Sequence, residues 1–138
     1  MKKLTILGAT GSIGLNTLDI VRQFPQKFRI EALSCRNSIE TLAEQIKEFK
    51  PRLACVDTIE QARELRESFC NGHYALETKF VCGVEGLVQI SSDPEVDLVV
   101  AGIVGAAGLR PTFSAVQAGK IVAVANKEPL VMAGELFV

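Results

Sequence analysis

Short apolar runs alternate along the chain with longer amphipathic stretches. Most of the apolar runs are continuous, which is typical of strands buried on both faces of a parallel sheet. The stretches between them carry apolar residues at helical spacing. The predicted strands are residues 4–7, 29–34, 53–56, 79–82, 98–102 and 121–125. The predicted helices are residues 13–24, 39–49, 62–69 and 111–119, with a further helix starting at residue 129.

This alternation predicts the fold class. Strands that alternate with helices form an α/β domain, because right-handed crossovers place the helices on both faces of a parallel sheet. We therefore expect a Rossmann-like, doubly wound, mostly parallel sheet, and 138 residues suffice for one such domain. The stretch 129–138 ends on an apolar helical pattern without a cap, so we expect the chain to be part of a longer protein.

Local signals mark several helix ends. Pro25 stops the first predicted helix, and Gly119 is placed as the C-terminal cap of the helix that Pro111 opens. Asn37 with Glu40, and Thr58 with Gln61, have the spacing of capping boxes, in which two side chains satisfy backbone N–H groups reciprocally.

A glycine loop follows the first predicted strand directly. The run Gly8-Ala9-Thr10-Gly11-Ser12-Ile13-Gly14 is a G-x-x-G-x-x-G loop that leads into a helix. Small residues let the backbone approach a pyrophosphate, and the helix N-terminus offers N–H donors and partial positive charge. No Lys-Ser or Lys-Thr follows the glycines, which excludes a P-loop. The motif predicts a dinucleotide site, and a purely structural glycine turn is the alternative.

The end of the second predicted strand bears on which dinucleotide is bound. An NAD site usually places an acid there to bind the ribose 2′-OH. Glu31 has the right separation, but the strand continues beyond it, so we expect Glu31 in mid-strand. Arg36 and Asn37 lie at the tip and suit a 2′-phosphate, hence NADPH. The alternatives are a solvated Arg36 and an Asn37 that only caps the next helix.

Two further segments follow predicted strands. Asn126-Lys127-Glu128 comes after the last strand, where an amide, an ammonium and a carboxylate can face both a cofactor and an anionic substrate. An ordinary polar turn before a helix is equally compatible with these residue types. The glycine-rich run from Gly102 to Gly108 either lines the nicotinamide side or permits tight packing.

Composition narrows the classes of partner. Fifteen basic and sixteen acidic residues give a net charge of −1, which provides no general attraction to nucleic acid or anionic lipid. The longest apolar run, 98–109, is shorter than the roughly 20 residues that cross a bilayer. We expect neither nucleic-acid nor membrane binding, and no cleavable signal peptide, hence a cytoplasmic protein.

The four cysteines do not form a metal-ligand pattern. They occur singly at wide spacing, and the chain has one histidine, His73, in a polar stretch expected to be a loop. A zinc site needs a tighter cluster. We expect reduced thiols in the core and no catalytic nucleophile among them. The cysteines are Cys35, Cys55, Cys70 and Cys82.

Together these segments resemble the 1-deoxy-D-xylulose 5-phosphate reductoisomerase family, NADPH-dependent enzymes of non-mevalonate isoprenoid biosynthesis. The resemblance covers the whole chain in order. It is carried by residues 4–14 with Thr17-Leu18-Asp19, by Ile103-Val104-Gly105-Ala106-Ala107-Gly108-Leu109, and by Ala125-Asn126-Lys127-Glu128 with Leu130-Val131.

The resemblance implies a role for particular residues. Those implied to contact NADPH are Thr10, Gly11, Ser12, Ile13, Arg36, Asn37, Asn126 and Glu128, while Lys127 is implied to contact the substrate. Two departures are visible. The loop after the second strand is one residue shorter than is usual in the family. The roles assigned to residues 36 and 37 are therefore open to a shift of one residue. Pro129 stands where the family usually has serine.

The family reaction isomerises 1-deoxy-D-xylulose 5-phosphate and reduces the product with NADPH to 2-C-methyl-D-erythritol 4-phosphate. A Mg²⁺ or Mn²⁺ ion polarises the substrate oxygens. The family's metal-binding Asp-Ser-Glu segment is absent from these 138 residues, so we expect an NADPH-binding domain, residues 1–138, with no metal site and no catalytic residue of its own. The resemblance also implies a homodimer for the longer protein.

Two other functions remain as alternatives from the sequence. One is another NADPH-dependent enzyme with a similar glycine loop, such as a semialdehyde dehydrogenase, which needs a catalytic cysteine. The other is a non-catalytic module whose bound nucleotide regulates a partner.

Overall fold

The computed structural model describes residues 1–71, 77–103 and 108–124. Along these residues strands alternate with helices. The strands are β1 (Lys2–Leu7), β2 (Phe28–Ser34), β3 (Leu53–Val56), β4 (Lys79–Cys82), β5 (Leu98–Ala101) and β6 (Ile121–Val124). The helices are α1 (Ser12–Gln23), α2 (Ile39–Phe49), α3 (Ile59–Asn71), α4 (Gly83–Ser92) and α5 (Leu109–Gln117).

All the strands pair in parallel in a single sheet of order β4-β3-β2-β1-β5-β6. The chain moves outward from β1 to β4 and then returns to the other side of β1 with β5 and β6. The direction of winding therefore changes between β1 and β5. In open α/β sheets, ligands bind beyond the carboxyl ends of the strands at such a switch point.

Helices cover both faces of the sheet, as the strand–helix alternation predicts. On one face, a core cluster includes Leu18 of α1, Ile46 of α2 and Leu65 of α3, all at most 2% exposed. On the other, Ile90 of α4 and Ala115 of α5 pack against the sheet and are fully buried. The predicted Rossmann-like, doubly wound architecture is confirmed.

The helix ends that Pro25 and Gly119 mark are also as predicted. Helix α1 ends two residues before Pro25. Gly119 adopts a φ of 78°, and its N–H donates to the carbonyl of Val116 at 3.0 Å, which closes the C-terminus of α5. Glycine is favoured there because its φ is positive.

One predicted cap is confirmed and one is wrong. Thr58 Oγ1 accepts the N–H of Gln61 at 3.2 Å, and Gln61 Oε1 accepts the N–H of Thr58 at 3.1 Å, so α3 begins with the expected capping box. Helix α2 starts one residue later than the Asn37–Glu40 box requires. Ser38 occupies its N-cap position without a side-chain cap bond, and the N–H of Ile39 donates to the backbone carbonyl of Asn37.

Helix α4 was not predicted. Its glycines and terminal serines are poor helix formers, and tertiary packing overrides that propensity. A Cβ atom at Gly86 would lie 2.8 Å from Cys55 Sγ, so the missing side chain is what lets α4 lie directly against β3.

Within the described ranges, no helix has both the length and the apolar character to cross a bilayer. Cys35 and Cys55 are buried, Cys82 is half-buried, and all three are free thiols. The side chain of Cys70, and His73, lie outside the described residues, as does the predicted helix start at 129–138.

Candidate nucleotide-binding cleft

A cleft of about 560 Å³ opens at the carboxyl ends of the central strands, where the winding direction changes. It is bounded by the glycine loop after β1, the tip of β2, the end of β3, the start of α4 and the segment after β5. The lining residues are Gly8, Thr10, Gly11, Ser34, Cys35, Arg36, Asn37, Ser38, Val56, Asp57, Gly83, Val84, Leu87, Gly102 and Ile103.

The three glycines of the loop have different structural roles. Gly8 adopts a φ of 80°, and a Cβ atom there would lie 3.0 Å from the carbonyl oxygen of Gly102. A Cβ atom at Gly14 would lie 2.4 Å from Gly8 O, so this glycine lets α1 pack on the loop. At Gly11 the nearest atom would be Gly8 O at 3.7 Å, an ordinary contact. A purely structural turn explains Gly8 and Gly14 but gives no reason for Gly11, which faces the cleft.

Strand β2 holds the start of the loop. The N–H of Gly8 donates to Ser34 Oγ at 2.9 Å, and the N–H of Ala9 donates to the backbone oxygen of Ser34 at 2.7 Å. The N–H of Gly11 donates to Gly8 O at 3.2 Å. These three donors are therefore already used within the protein.

The donors that the loop offers to a ligand lie at the start of α1. The first helical hydrogen bond runs from Leu15 N–H to Gly11 O at 2.9 Å. The preceding N–H groups, of Ser12, Ile13 and Gly14, have no partner within the helix. No acidic residue lies in this first turn. The partial positive charge of the helix N-terminus is thus available to an anion.

The tip of β2 presents a cation to the same cleft. Arg36 and Asn37 are exposed and line it. No carboxylate among the described residues forms an ion pair with Arg36. Because the Asn37 side chain does not cap α2, the alternative that limited it to a capping role is wrong.

Gln61 joins the ends of β2 and β3 beneath this tip. Its Oε1 accepts the N–H of Asp57 at 3.0 Å in addition to that of Thr58, and its Nε2 donates to the backbone oxygen of Arg36 at 3.2 Å. The sequence indicated Gln61 only as a capping residue. Its second role depends on the adjacency of β2 and β3.

Glu31 lies in mid-strand, as expected, and does not reach the cleft. The register between β1 and β2 shifts between Leu4 and Thr5, which leaves Glu31 as the extra residue of a bulge. Its carboxylate is buried and forms ion pairs with Arg29 and Arg52, each at 3.2 Å. It is therefore not placed to bind a ribose hydroxyl.

The cysteine in the cleft is a poor nucleophile. Burial raises the pKa of the Cys35 thiol to about 11, and burial is also the main cause that raises the pKa of Cys55 to about 12. Both thiols are protonated near neutral pH, and the thiolate is the reactive form.

The side chain of Ile13 points elsewhere. It packs on the core and lines a separate apolar groove of about 310 Å³, together with Leu4, Ile20 and Val100. Of Ile13, only the backbone N–H is placed to serve a ligand at the loop.

Among the predicted site residues, the structure brings Thr10, Gly11, Arg36 and Asn37 into one cleft, with Ser12 at the adjoining start of α1. Asn126, Lys127 and Glu128 lie outside the described residues. Sequence analysis missed the contribution of α4 to the cleft. Across the described part of the chain, no group of three or more His, Cys, Asp or Glu residues is arranged to hold a metal ion.

The parallel strand order, the glycine loop at the switch point and the cleft beside it define a Rossmann-like α/β domain of the dinucleotide-binding class. The sequence model of a family described as 1-deoxy-D-xylulose 5-phosphate reductoisomerase matches residues 4–134. The chain belongs to this family. Membership decides against a semialdehyde dehydrogenase.

Individual relatives agree. The chain is 50% identical over 137 residues to the 1-deoxy-D-xylulose 5-phosphate reductoisomerase of Dechloromonas aromatica, and 51% identical over 135 residues to that of Desulfosudis oleivorans. The alignments cover 99% and 98% of this chain and 34% of each relative. The chain thus spans about a third of the length of the curated relatives it matches.

Solved structures superimpose closely. A crystal structure of DOX-P reductoisomerase in complex with NADPH, fosmidomycin and magnesium gives a TM-score of 0.91 at 46% identity, covering 99% of this chain and 33% of the other. The enzyme from Zymomonas mobilis in complex with NADPH gives a TM-score of 0.87 at 33% identity, covering 98% of this chain and 34% of the other.

Proposed function

We propose that residues 1–138 form the NADPH-binding part of a 1-deoxy-D-xylulose 5-phosphate reductoisomerase. The observation that carries the proposal is a single cleft that combines a glycine loop, a helix N-terminus and an unpaired arginine, the last judged among the described residues. NADPH carries a pyrophosphate and a separate 2′-phosphate, so it needs two anion-binding places at one cleft. NADPH in the structures of two family members supports the same assignment.

In this proposal the two ends of the cleft bind different phosphate groups of NADPH. The N–H groups of Ser12 and Ile13 bind the pyrophosphate, and Gly11 leaves room for it to approach the backbone. The Arg36 guanidinium binds the 2′-phosphate, with Asn37 as a further polar partner, while Thr10 belongs to the pyrophosphate end. Bound in this way, NADPH supplies a hydride to the substrate of the longer protein.

Calorimetric titration of the chain with NADPH and NADH tests the proposal. We expect NADPH to bind at least about tenfold more tightly, because a charge-assisted contact to the 2′-phosphate is worth about 1.5–3 kcal/mol. Arg36→Gln should weaken NADPH binding about 10- to 100-fold for the same reason and leave NADH almost unchanged. Arg66→Gln removes an exposed arginine of α3 outside the cleft and should change neither affinity. Equal affinities of the unchanged chain for both nucleotides would contradict the role of Arg36.

The longer protein has further proposed properties. We propose that Asn126 and Glu128 also contact NADPH, that Lys127 contacts the phosphorylated sugar substrate, and that the longer protein uses Mg²⁺ or Mn²⁺, forms a homodimer and is cytoplasmic. Magnesium in solved structures of this family supports the metal, and the family's name supports the substrate class. Alone, the 138-residue chain should not consume NADPH when 1-deoxy-D-xylulose 5-phosphate and Mg²⁺ are added. Turnover by this chain would refute the division of tasks.

A further inference from the structure

Gln45 is a buried polar residue of α2 with an unusual connection. Gln45 is 4% exposed, and its Nε2 donates to the backbone oxygen of Ala9 at 2.9 Å. Its Oε1 has no hydrogen-bond partner among the described residues. A carbonyl oxygen can only accept, so the amide must present its NH₂ group to Ala9. A buried amide costs free energy, and this one bond to the glycine loop is its compensation.

The bond determines the orientation of one peptide plane. In a planar trans peptide the C=O and the following N–H point in opposite directions. Gln45 draws the Ala9 carbonyl toward α2, so the N–H of Thr10 points away from α2. Thr10 lines the cleft. Ser34 holds the preceding N–H groups of Gly8 and Ala9, so the two peptide planes before this one are fixed from β2.

We propose that Gln45 is a positioning residue for the cofactor, because it aims the Thr10 N–H at the phosphates and turns the Ala9 carbonyl away from them. This inference rests on the proposed NADPH function. A carbonyl oxygen turned into the cleft would repel a pyrophosphate, whereas an N–H attracts it. Gln45 therefore acts at the pyrophosphate end of the cleft and not at the Arg36 end.

That difference between the two ends gives a selective test. Gln45→Met keeps the length of the side chain but removes the donor. We expect calorimetry to show NADPH binding weakened about 5- to 20-fold, the effect of an unsatisfied buried acceptor and a misdirected N–H. Adenosine 2′-monophosphate, which has the 2′-phosphate but no pyrophosphate, should bind within about twofold of its original affinity. Gln23→Met, at an exposed position in the last turn of α1, should alter neither.

Other outcomes overturn the inference. Equal losses for both nucleotides would mean that Gln45 supports the domain as a whole, and no loss for either would mean that the bond is unimportant. If the unchanged chain binds neither nucleotide, the proposed function fails and the inference fails with it. If the unchanged chain binds NADPH and Gln45→Met binds it equally well, the inference alone fails.

A measurement on the unchanged chain serves if Gln45→Met does not fold. The amide signal of Thr10 in a ¹⁵N–¹H spectrum should shift on addition of NADPH and stay in place on addition of adenosine 2′-monophosphate. A Thr10 signal that NADPH leaves in place, or that both nucleotides move alike, would overturn the inference.

Discussion

Gly14 shows how the absence of one side chain allows a whole helix to approach the sheet. An added Cβ would lie 2.4 Å from Gly8 O and 2.5 Å from the Cα of Ala9. Both contacts are with backbone atoms of a loop that Ser34 holds in place. The loop therefore has little freedom to move aside. At Gly11 the same addition meets only Gly8 O at 3.7 Å.

Gly14→Ala should therefore mainly reduce stability, whereas Gly11→Ala should mainly reduce NADPH binding. We expect Gly14→Ala to lower the free energy of unfolding by about 2–3 kcal/mol through overpacking. Gly11→Ala should lower it by less than about 1 kcal/mol. Urea denaturation of both variants measures the difference.

Gly11→Ala should instead weaken NADPH binding about tenfold or more, because its methyl group faces the cleft where the pyrophosphate must approach the backbone. Similar stability losses in the two variants would contradict this division between packing and binding.

At the level of secondary-structure elements, α3 and α2 differ in how their N-termini are capped. Thr58 and Gln61 cap α3 reciprocally at 3.1 and 3.2 Å. Ser38 occupies the corresponding position of α2 and makes no side-chain cap bond. Both residues are exposed, so burial does not separate them.

Thr58→Ala should lower the free energy of unfolding by about 1 kcal/mol, the usual effect of losing an N-cap hydrogen bond. Ser38→Ala is the matched control, and its effect should stay below about 0.5 kcal/mol because no cap bond is lost. Thermal unfolding followed by circular dichroism compares the two. Equal destabilisation would mean that the Ser38 hydroxyl caps α2 in solution.

The ends of neighbouring elements also build the cleft jointly. Arg36 at the end of β2 is tied through Gln61 to the start of α3, and Ala9 after β1 is tied through Gln45 to α2. Each of these bonds joins segments at least 25 residues apart. The geometry of the cleft therefore depends on the packing of several elements and not on one loop.

At the scale of the whole molecule, β1 is a central strand that packs against both helical layers. It pairs with β2 on one side and β5 on the other. Leu4 and Ile6 face the layer of α1, α2 and α3, and Leu7 faces the layer of α4 and α5. Opening β1 thus requires both cores to separate.

Hydrogen exchange should reflect this position. We expect the amides of Thr5, Ile6 and Leu7 to exchange the most slowly, through global unfolding. The amides of β4, which pairs only with β3 among the described strands, should exchange faster through local opening. Native-state exchange read out by NMR measures both. Exchange in β4 as slow as in β1 would show that the sheet opens only as a unit.

The strands of the sheet and the glycine loop were predictable from the amino-acid sequence, because both are local patterns. Buried parallel strands are recognisable as continuous apolar runs, and a tight turn before a helix is recognisable from Gly8, Gly11 and Gly14. Arg36 was recognisable as well, since it lies two residues beyond the end of a predicted strand.

What holds that loop and where α4 lies became visible only in the folded structure. Gln45 has no local signal, since its partner Ala9 is 36 residues away in the sequence. Helix α4 has weak propensity and lies on β3 because Gly86 leaves room for Cys55. Pairing between distant residues depends on which strands become neighbours, and that order arises only when the whole core packs.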